Sequence, residues 1–408
     1  MSRLDALSQW TRTVSIRFPA LSRPQAAVLA MISFALVFTQ SCGRTSHAAF
    51  LAALLGQKEA ALDQRLGEWV KDAPAKRGRQ REQVDVTTCF APLVRWILSL
   101  WPATQRRLVL VLDATLLGDE LAVLAISLVY RGCAIPVAWK VLHANRKGAW
   151  QPHWQSLLTT LAPSVGRDWF VLVLADRGLY AHWLFRQISQ HGWHPFLRIQ
   201  RQGRFHCPGA GYWHDLRTVA PAPGTGWAGD VVCFKKPAGR VACTLLARWE
   251  EGQDEPWLVL TDLPPEGAEI AWYGLRAWIE AGFKDTKRGG WHWEQTKMRA
   301  PERVERLWLA IALATLWAVS VGGEAEATGA VSGLEELPPT HIARRLRKRP
   351  TLARLLSCFR RGVVTIIARA LNGVLLGVGV FWPEAWPSDS DRPPVRITAL
   401  EPAPAVAA

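Results

Sequence analysis

The stretch RLVLVLDATLLGDELAVLAISLVYRGCAIPVAWKVLH, residues 107–143, decides how the rest of the chain is read. RLVLVLDAT (107–115) is a short run of Leu and β-branched residues that ends at an acid, Asp113. LAVLAISLVYRG and IPVAWKVLH follow at hairpin distances, so the stretch predicts three neighbouring antiparallel strands. Farther on, QPHWQSLLTTLAP reads as a helix and WFVLVLADRG (169–178) as a fourth strand, which again ends at an acid, Asp176.

A further helix (LYAHWLFRQISQHG) and a fifth strand (WHPFLRIQ) complete the order β-β-β-α-β-α-β. That is the order of the ribonuclease-H-like fold, an α/β core with a mixed sheet and flanking helices. In it the first and fourth strands lie side by side, which makes Asp113 and Asp176 neighbours at one sheet edge. Residues 200–255 interrupt the pattern with short strand-like pieces among many Gly and Pro, and predict an inserted β-subdomain. Strand PWLVLTDLP (256–264) then leads to AWYGLRAWIEAGFKDTKRGG (271–290).

Read as an α-helix, that last stretch places Tyr273, Arg276, Glu280 and Lys287 in a sector of roughly 60° on one face. Leu275, Trp278 and Ile279 fall on the other side. A solvated face of an amphipathic helix gives the same pattern. Three carboxylates, Asp113, Asp176 and Glu280, are nevertheless what a two-metal site demands, because divalent ions prefer carboxylate oxygen and one must bridge two acids.

Upstream, residues 22–70 are helical, with Gly56 between TSHAAFLAALLG and QKEAALDQRLGEWV. Two helices across a Gly-containing turn suit a helix-turn-helix whose second helix, 58–69, enters a DNA groove; a plain helical bundle fits equally. KDAPAKRGRQRE (71–82) is a basic linker, and HIARRLRKRPTLARLLSCFRRG (341–362) carries eight Lys or Arg and no acid. The Pro- and Ala-rich end from Trp386 predicts disorder.

Composition sets the frame. The 408 residues are 49% hydrophobic and 20% charged, enough for two or three domains with a substantial core. A net charge of +15 favours a polyanionic partner, nucleic acid or an anionic membrane surface. The apolar runs at 26–38 and 307–321 fall short of the roughly 18 to 20 residues a membrane span requires, and the N-terminus lacks the pattern of a signal peptide. A cytoplasmic protein without membrane contact is expected. The seven cysteines form no C-x-x-C pair and are odd in number, so neither a zinc ribbon nor a disulfide framework is indicated. His143, His182, His191, His194 and His292 show no zinc spacing and are assigned to packing or phosphate contact. GTGWAG (224–229) lacks P-loop and Rossmann context, so no nucleotide cofactor is expected.

The chain resembles the DDE transposases of bacterial insertion sequences, specifically the insertion-sequence-four group. That group carries a signature of Tyr, two residues, Arg, three residues, Glu, six residues, Lys, which Tyr273, Arg276, Glu280 and Lys287 fit at every spacing. Asp113 with Thr115, and the run DRGLY (176–180), extend the match, which covers residues from about 22 to 317.

The resemblance implies that Asp113, Asp176 and Glu280 are catalytic and hold two Mg²⁺ ions, with Mn²⁺ as a substitute. It implies that Tyr273, Arg276 and Lys287 contact phosphates at the transposon end, with Lys284 and Arg288 beside them, and that Trp257 stacks on a flipped base. The partners it implies are double-stranded DNA, as transposon ends and target, and a second copy of the chain in a homodimer on DNA. The expected divisions are an N-terminal helical DNA-binding domain with linker (1–82), a core in two parts (83–199 and 256–325) around the inserted β-subdomain (200–255), and a basic C-terminal region with disordered tail (326–408). An inactive DNA-binding remnant and a ribonuclease-H-like nuclease without strand transfer are the alternatives.

Overall fold

The computed structural model describes residues 3–77, 81–144, 149–329, 356–374 and 376–400. Positions 78–80 of the basic linker, most of the basic stretch (341–355) and the tail from 401 lie outside the described residues. In chain order, helices α1 (Arg3–Arg17), α2 (Arg23–Thr39), α3 (Arg44–Leu55), α4 (Glu59–Val70) and α5 (Thr87–Ser99) precede strands β1 (Arg107–Leu117), β2 (Leu121–Tyr130) and β3 (Cys133–His143). Then come α6 (Gln151–Leu161), β4 (Phe170–Ala175), α7 (His182–Gln190) and β5 (His194–Arg198), the order read from the sequence. Strands β6 (Arg204–His206), β7 (His214–Asp215), β8 (Thr225–Cys233), β9 (Val241–Trp249) and β10 (Trp257–Thr261) follow, then α8 (Ala277–Thr286), α9 (Pro301–Thr328), α10 (Cys358–Leu371) and β11 (Arg396–Ile397). These elements divide into two units: residues 1–106, 114–169 and 277–384 form the first, and 107–113, 170–276 and 385–408 the second.

In the first unit β2 and β3 pair antiparallel, and β2 is buried at all ten positions. Burial on both sides of the pleat explains why its sequence is a continuous apolar run without alternation. The register shifts between Ile126 and Ser127, opposite Pro136, a residue with no N–H to give to the ladder. The core of the unit is α9, buried at Pro301 and at every position from Val304 to Gly323. By length and composition it could span a membrane, but 94% of its apolar window is buried inside the protein. Its two buried charges are both partnered: Glu305 accepts from the Val141 N–H (3.0 Å) and pairs with Lys140, while Arg306 bonds Asp72 at 2.6 Å. An unpartnered charge there would cost several kcal/mol, about what a small domain has to lose.

The N-terminal helices pack around this same helix. Trp10 stacks on Trp317 with ring centroids 4.3 Å apart and donates its indole N–H to Ser33 at 2.9 Å. Trp69 of α4 donates to the Arg306 carbonyl at 3.5 Å. The α4 segment buries Leu62, Leu66, Gly67 and Trp69, and it carries three acids (Glu59, Asp63, Glu68) against one base (Arg65). Backbone contact explains Gly322 and Gly362, where α9 and α10 cross: a Cβ at Gly362 would stand 1.7 Å from the Ala318 carbonyl oxygen.

In the second unit residues 107–112 of β1 run parallel to β4, and β4 runs parallel to β5. Antiparallel β10 joins β5 to β9, and β9, β8, β6 and β7 continue outward. Residues 200–255 therefore extend the same sheet. The expected disorder from Trp386 is corrected as far as residue 400. The Asp389 carboxylate accepts from the N–H groups of Ile270 (3.1 Å) and Ala271 (2.9 Å), Arg392 bonds Glu250 at 2.7 Å, and β11 pairs with β8. Composition misled here because Pro fixes φ in advance, so an extended Pro-rich strap gives up little entropy when it docks through a few charged residues.

Candidate active site

The parallel pairing of β1 with β4 ends at Leu112 opposite Ala175, and the next residues on the two strands are Asp113 and Asp176. Asp113 lies within β1, which runs on to Leu117, and not at its end as the sequence suggested. Both carboxylates converge on one positive charge. Arg276 donates from Nη2 to Asp113 Oδ2 at 2.9 Å and stands 3.4 Å from Asp176 Oδ2. Asp176 Oδ1 also accepts from the Arg177 N–H at 2.6 Å and from the Tyr273 hydroxyl at 3.4 Å. Burial raises the Tyr273 pKa, so the phenol remains a donor at any ordinary pH.

The segment carrying Tyr273 and Arg276 corrects the single helix expected over 271–290. Ile270–Arg276 is a 3-10 helix, α8 begins only at Ala277, and Lys287 lies just beyond its end. With three residues per turn, positions 273 and 276 eclipse each other, which aims both side chains at Asp176. Asp389 caps the start of this segment, and Trp257 supports it from below, edge-on to Tyr273 at 5.1 Å and covered by the Arg392 guanidinium at 4.7 Å. Trp257 is 8% exposed, so its ring belongs to the packing beneath Tyr273. Asp389 and Arg392 escaped the sequence reading. The signal that could have found them is Ser388-Asp-Ser-Asp391, a capping box in which Ser388 and Asp391 bond each other's backbone.

Glu280, Lys284, Lys287 and Arg288 belong to the first unit. Glu280 is exposed on the first turn of α8, and Lys284 and Arg288 are exposed as well. Gly282 lets α8 press onto β3, since a Cβ there would meet that of Ala134 at 2.7 Å. Lys287 donates to Thr115 Oγ1 at 2.7 Å and to the Leu116 carbonyl at 2.8 Å. The lysine of the signature and the threonine of Asp-x-Thr are thus one bonded pair. Burial lowers the Lys287 pKa.

Asp285, on the last turn of α8, has its pKa raised to about 7 by burial, against the opposing charges of Arg360 and Lys284. Below about pH 4 the carboxyl is protonated in folded and unfolded chains alike and costs nothing. As pH rises toward about 7 the unfolded chain ionises first, so stability falls by up to about 1.4 kcal/mol per pH unit and then levels. Asp285→Asn removes that fall: urea unfolding at both ends of the window should show the variant gaining a few kcal/mol on the parent as pH rises. A difference that does not change with pH would mean that Asp285 ionises as an ordinary surface acid.

Among the described residues, no group of three or more His, Cys, Asp or Glu side chains stands at metal-holding separation. The pair Asp113 and Asp176 does fit a hard divalent cation, because both are carboxylate oxygen donors already gathered around a single cationic nitrogen. A mixed sheet with two carboxylates side by side on adjacent parallel strands is consistent with a ribonuclease-H-like DDE domain. Residues 123–317 match the family model described as the transposase DDE domain, which supports a DDE transposase. The matched span includes Asp176, Tyr273, Arg276, Glu280 and Lys287 and begins after Asp113. No curated protein matches the chain.

Proposed function

We propose that this protein is a cut-and-paste DNA transposase of an insertion sequence, acting in the cytoplasm as a homodimer on paired transposon ends. The observation that carries the reading is the convergence of Asp113 and Asp176 on Arg276 at the edge of two parallel strands. Asp113, Asp176 and Glu280 are the residues that would hold divalent metal. Bound there, Mg²⁺ supplies the charge that activates an attacking oxygen and neutralises a leaving 3′-oxygen.

The chain's own residues prepare that chemistry. Without metal, Arg276 keeps two like charges together that would otherwise repel. With the carboxylates engaged by metal, the guanidinium would be free to grip a phosphate through two parallel N–H bonds. Tyr273, kept neutral, offers one O–H to the same backbone. Lys287 braces β1 at Thr115 and adds a charge for the DNA, with Lys284 and Arg288 exposed nearby.

Purified protein incubated with Mg²⁺ and a duplex carrying the element's end plus flanking DNA should yield nicks at the end and joined products. Nicks without joining would point to a simple nuclease, and binding without either to an inactive remnant. Lys287→Met should lower the log-log salt slope of end binding by about 0.9 and cost about 1–2 kcal/mol of stability in urea. A lost brace with an unchanged slope would remove Lys287 from the DNA contacts.

A further inference from the structure

Beyond the acid pair, the second unit carries a cluster of basic side chains around the β8–β9 connection with no assigned role. Residues 177–214 and 231–249 contain no Asp or Glu. The structure folds these stretches together around the β8–β9 connection, where Lys235, Lys236 and Arg240 are exposed. Arg186 of α7 donates to the Arg240 carbonyl at 2.9 Å, and Arg240 donates through Nε to the Lys235 carbonyl at 3.2 Å. The Arg240 guanidinium lies over the Trp213 ring, 5.5 Å from its centroid, and Trp213 in turn packs against His206. The acids that reach these stretches are engaged: Asp215 accepts from the Arg217 N–H, Asp230 from the Thr244 hydroxyl, Glu255 pairs with Arg177 and Arg198, and Asp262 bonds His194.

Two features indicate a built surface. The Arg240 guanidinium is held over an indole and bonded to a carbonyl, so less side-chain entropy is lost when it takes a phosphate. Phe234, at the base of the connection, adopts φ +70°, a left-handed conformation costly for a bulky aromatic residue. Its N–H bonds the Arg204 carbonyl at 3.0 Å and its ring packs on Tyr180 at 4.9 Å. Tyr180 ends the run DRGLY that starts at Asp176, so the cluster is joined to the acid pair through one short segment.

We infer that Lys235, Lys236 and Arg240, with Arg186 and the Trp213 platform, form a second DNA contact surface that tracks the phosphates of duplex DNA away from the Asp113–Asp176 pair. The choice of duplex DNA as the polyanion rests on the transposase reading. The test is fluorescence anisotropy of the full-length chain on a labelled duplex of arbitrary sequence over a range of NaCl concentrations. The triple variant Lys235→Ala, Lys236→Ala, Arg240→Ala should bind about tenfold or more weakly at moderate salt, with a slope shallower by about 2 to 3 units. Trp213→Leu should weaken binding while changing the slope by less than about one unit, since it removes no charge.

Parent-like affinity and slope in a triple variant that melts like the parent would overturn the inference. So would parent-like DNA binding joined to self-association, which would make the charges guards of a sheet edge. Tighter binding of an RNA duplex than of a DNA duplex would overturn the choice of partner. Parent protein that never nicks DNA with Mg²⁺, while the triple variant still loses binding, would instead sink the transposase and leave the surface standing.

Discussion

Asp113→Asn and Asp176→Asn are each expected to reduce Mg²⁺-dependent nicking of end DNA by about a thousandfold or more, with duplex binding retained. A thousandfold loss is about 4 kcal/mol of barrier, within the several kcal/mol that metal-centred charge stabilisation supplies to phosphoryl transfer. Asn keeps the volume and part of the hydrogen bonding, so the β1–β4 edge should hold, and Arg276 retains one carboxylate in either variant. Glu280→Gln should match this loss. Normal nicking by any one of the three variants would remove that residue from the reacting centre.

Arg276→Gln is the second large effect, and it separates stability from chemistry. The side chains of Arg276, Asp113 and Asp176 are 14%, 21% and 34% exposed, so solvent screens the cluster only in part. Breaking a fully buried pair costs about 3–5 kcal/mol and a surface pair about 0–1. Here about 1–3 kcal/mol is expected, because two carboxylates lose one shared cation. In a thermal melt without divalent ions Arg276→Gln should therefore fall several degrees below the parent, and Mn²⁺ should raise the variant more than it raises the parent. An unchanged melt, or one that Mn²⁺ shifts equally in both proteins, would reject the idea that Arg276 holds the place of a metal charge.

Much of the core was legible because burial on both sheet faces writes itself into sequence as unbroken apolar runs. The apolar runs Leu108–Leu112 and Val171–Ala175 stop at acids, and those acids proved to be neighbours. The local geometry around Arg276 was hidden. A four-residue signature reads equally well along a 3-10 turn followed by an α-helix as along one helix, and only Asp389, more than a hundred residues later, caps the turn. α1 was missed because its apolar residues include Trp10 and Val14 amid Ser, Thr and Arg, and its helix rests on packing against Trp317. The ion pair of Arg276 with the two acids joins residues far apart in sequence, so their nearness becomes visible only in the folded sheet.

A divalent-metal site at Asp113 and Asp176, held ready by Arg276, is the step on which the proposed chemistry depends. Mn²⁺ binding followed by electron paramagnetic resonance, on protein with duplex DNA present, tests it most directly. The parent should bind Mn²⁺, Asp113→Asn and Asp176→Asn should lose affinity by about tenfold or more, and Arg276→Gln should bind with undiminished affinity. Parent-like Mn²⁺ affinity in both Asn variants would contradict the metal site.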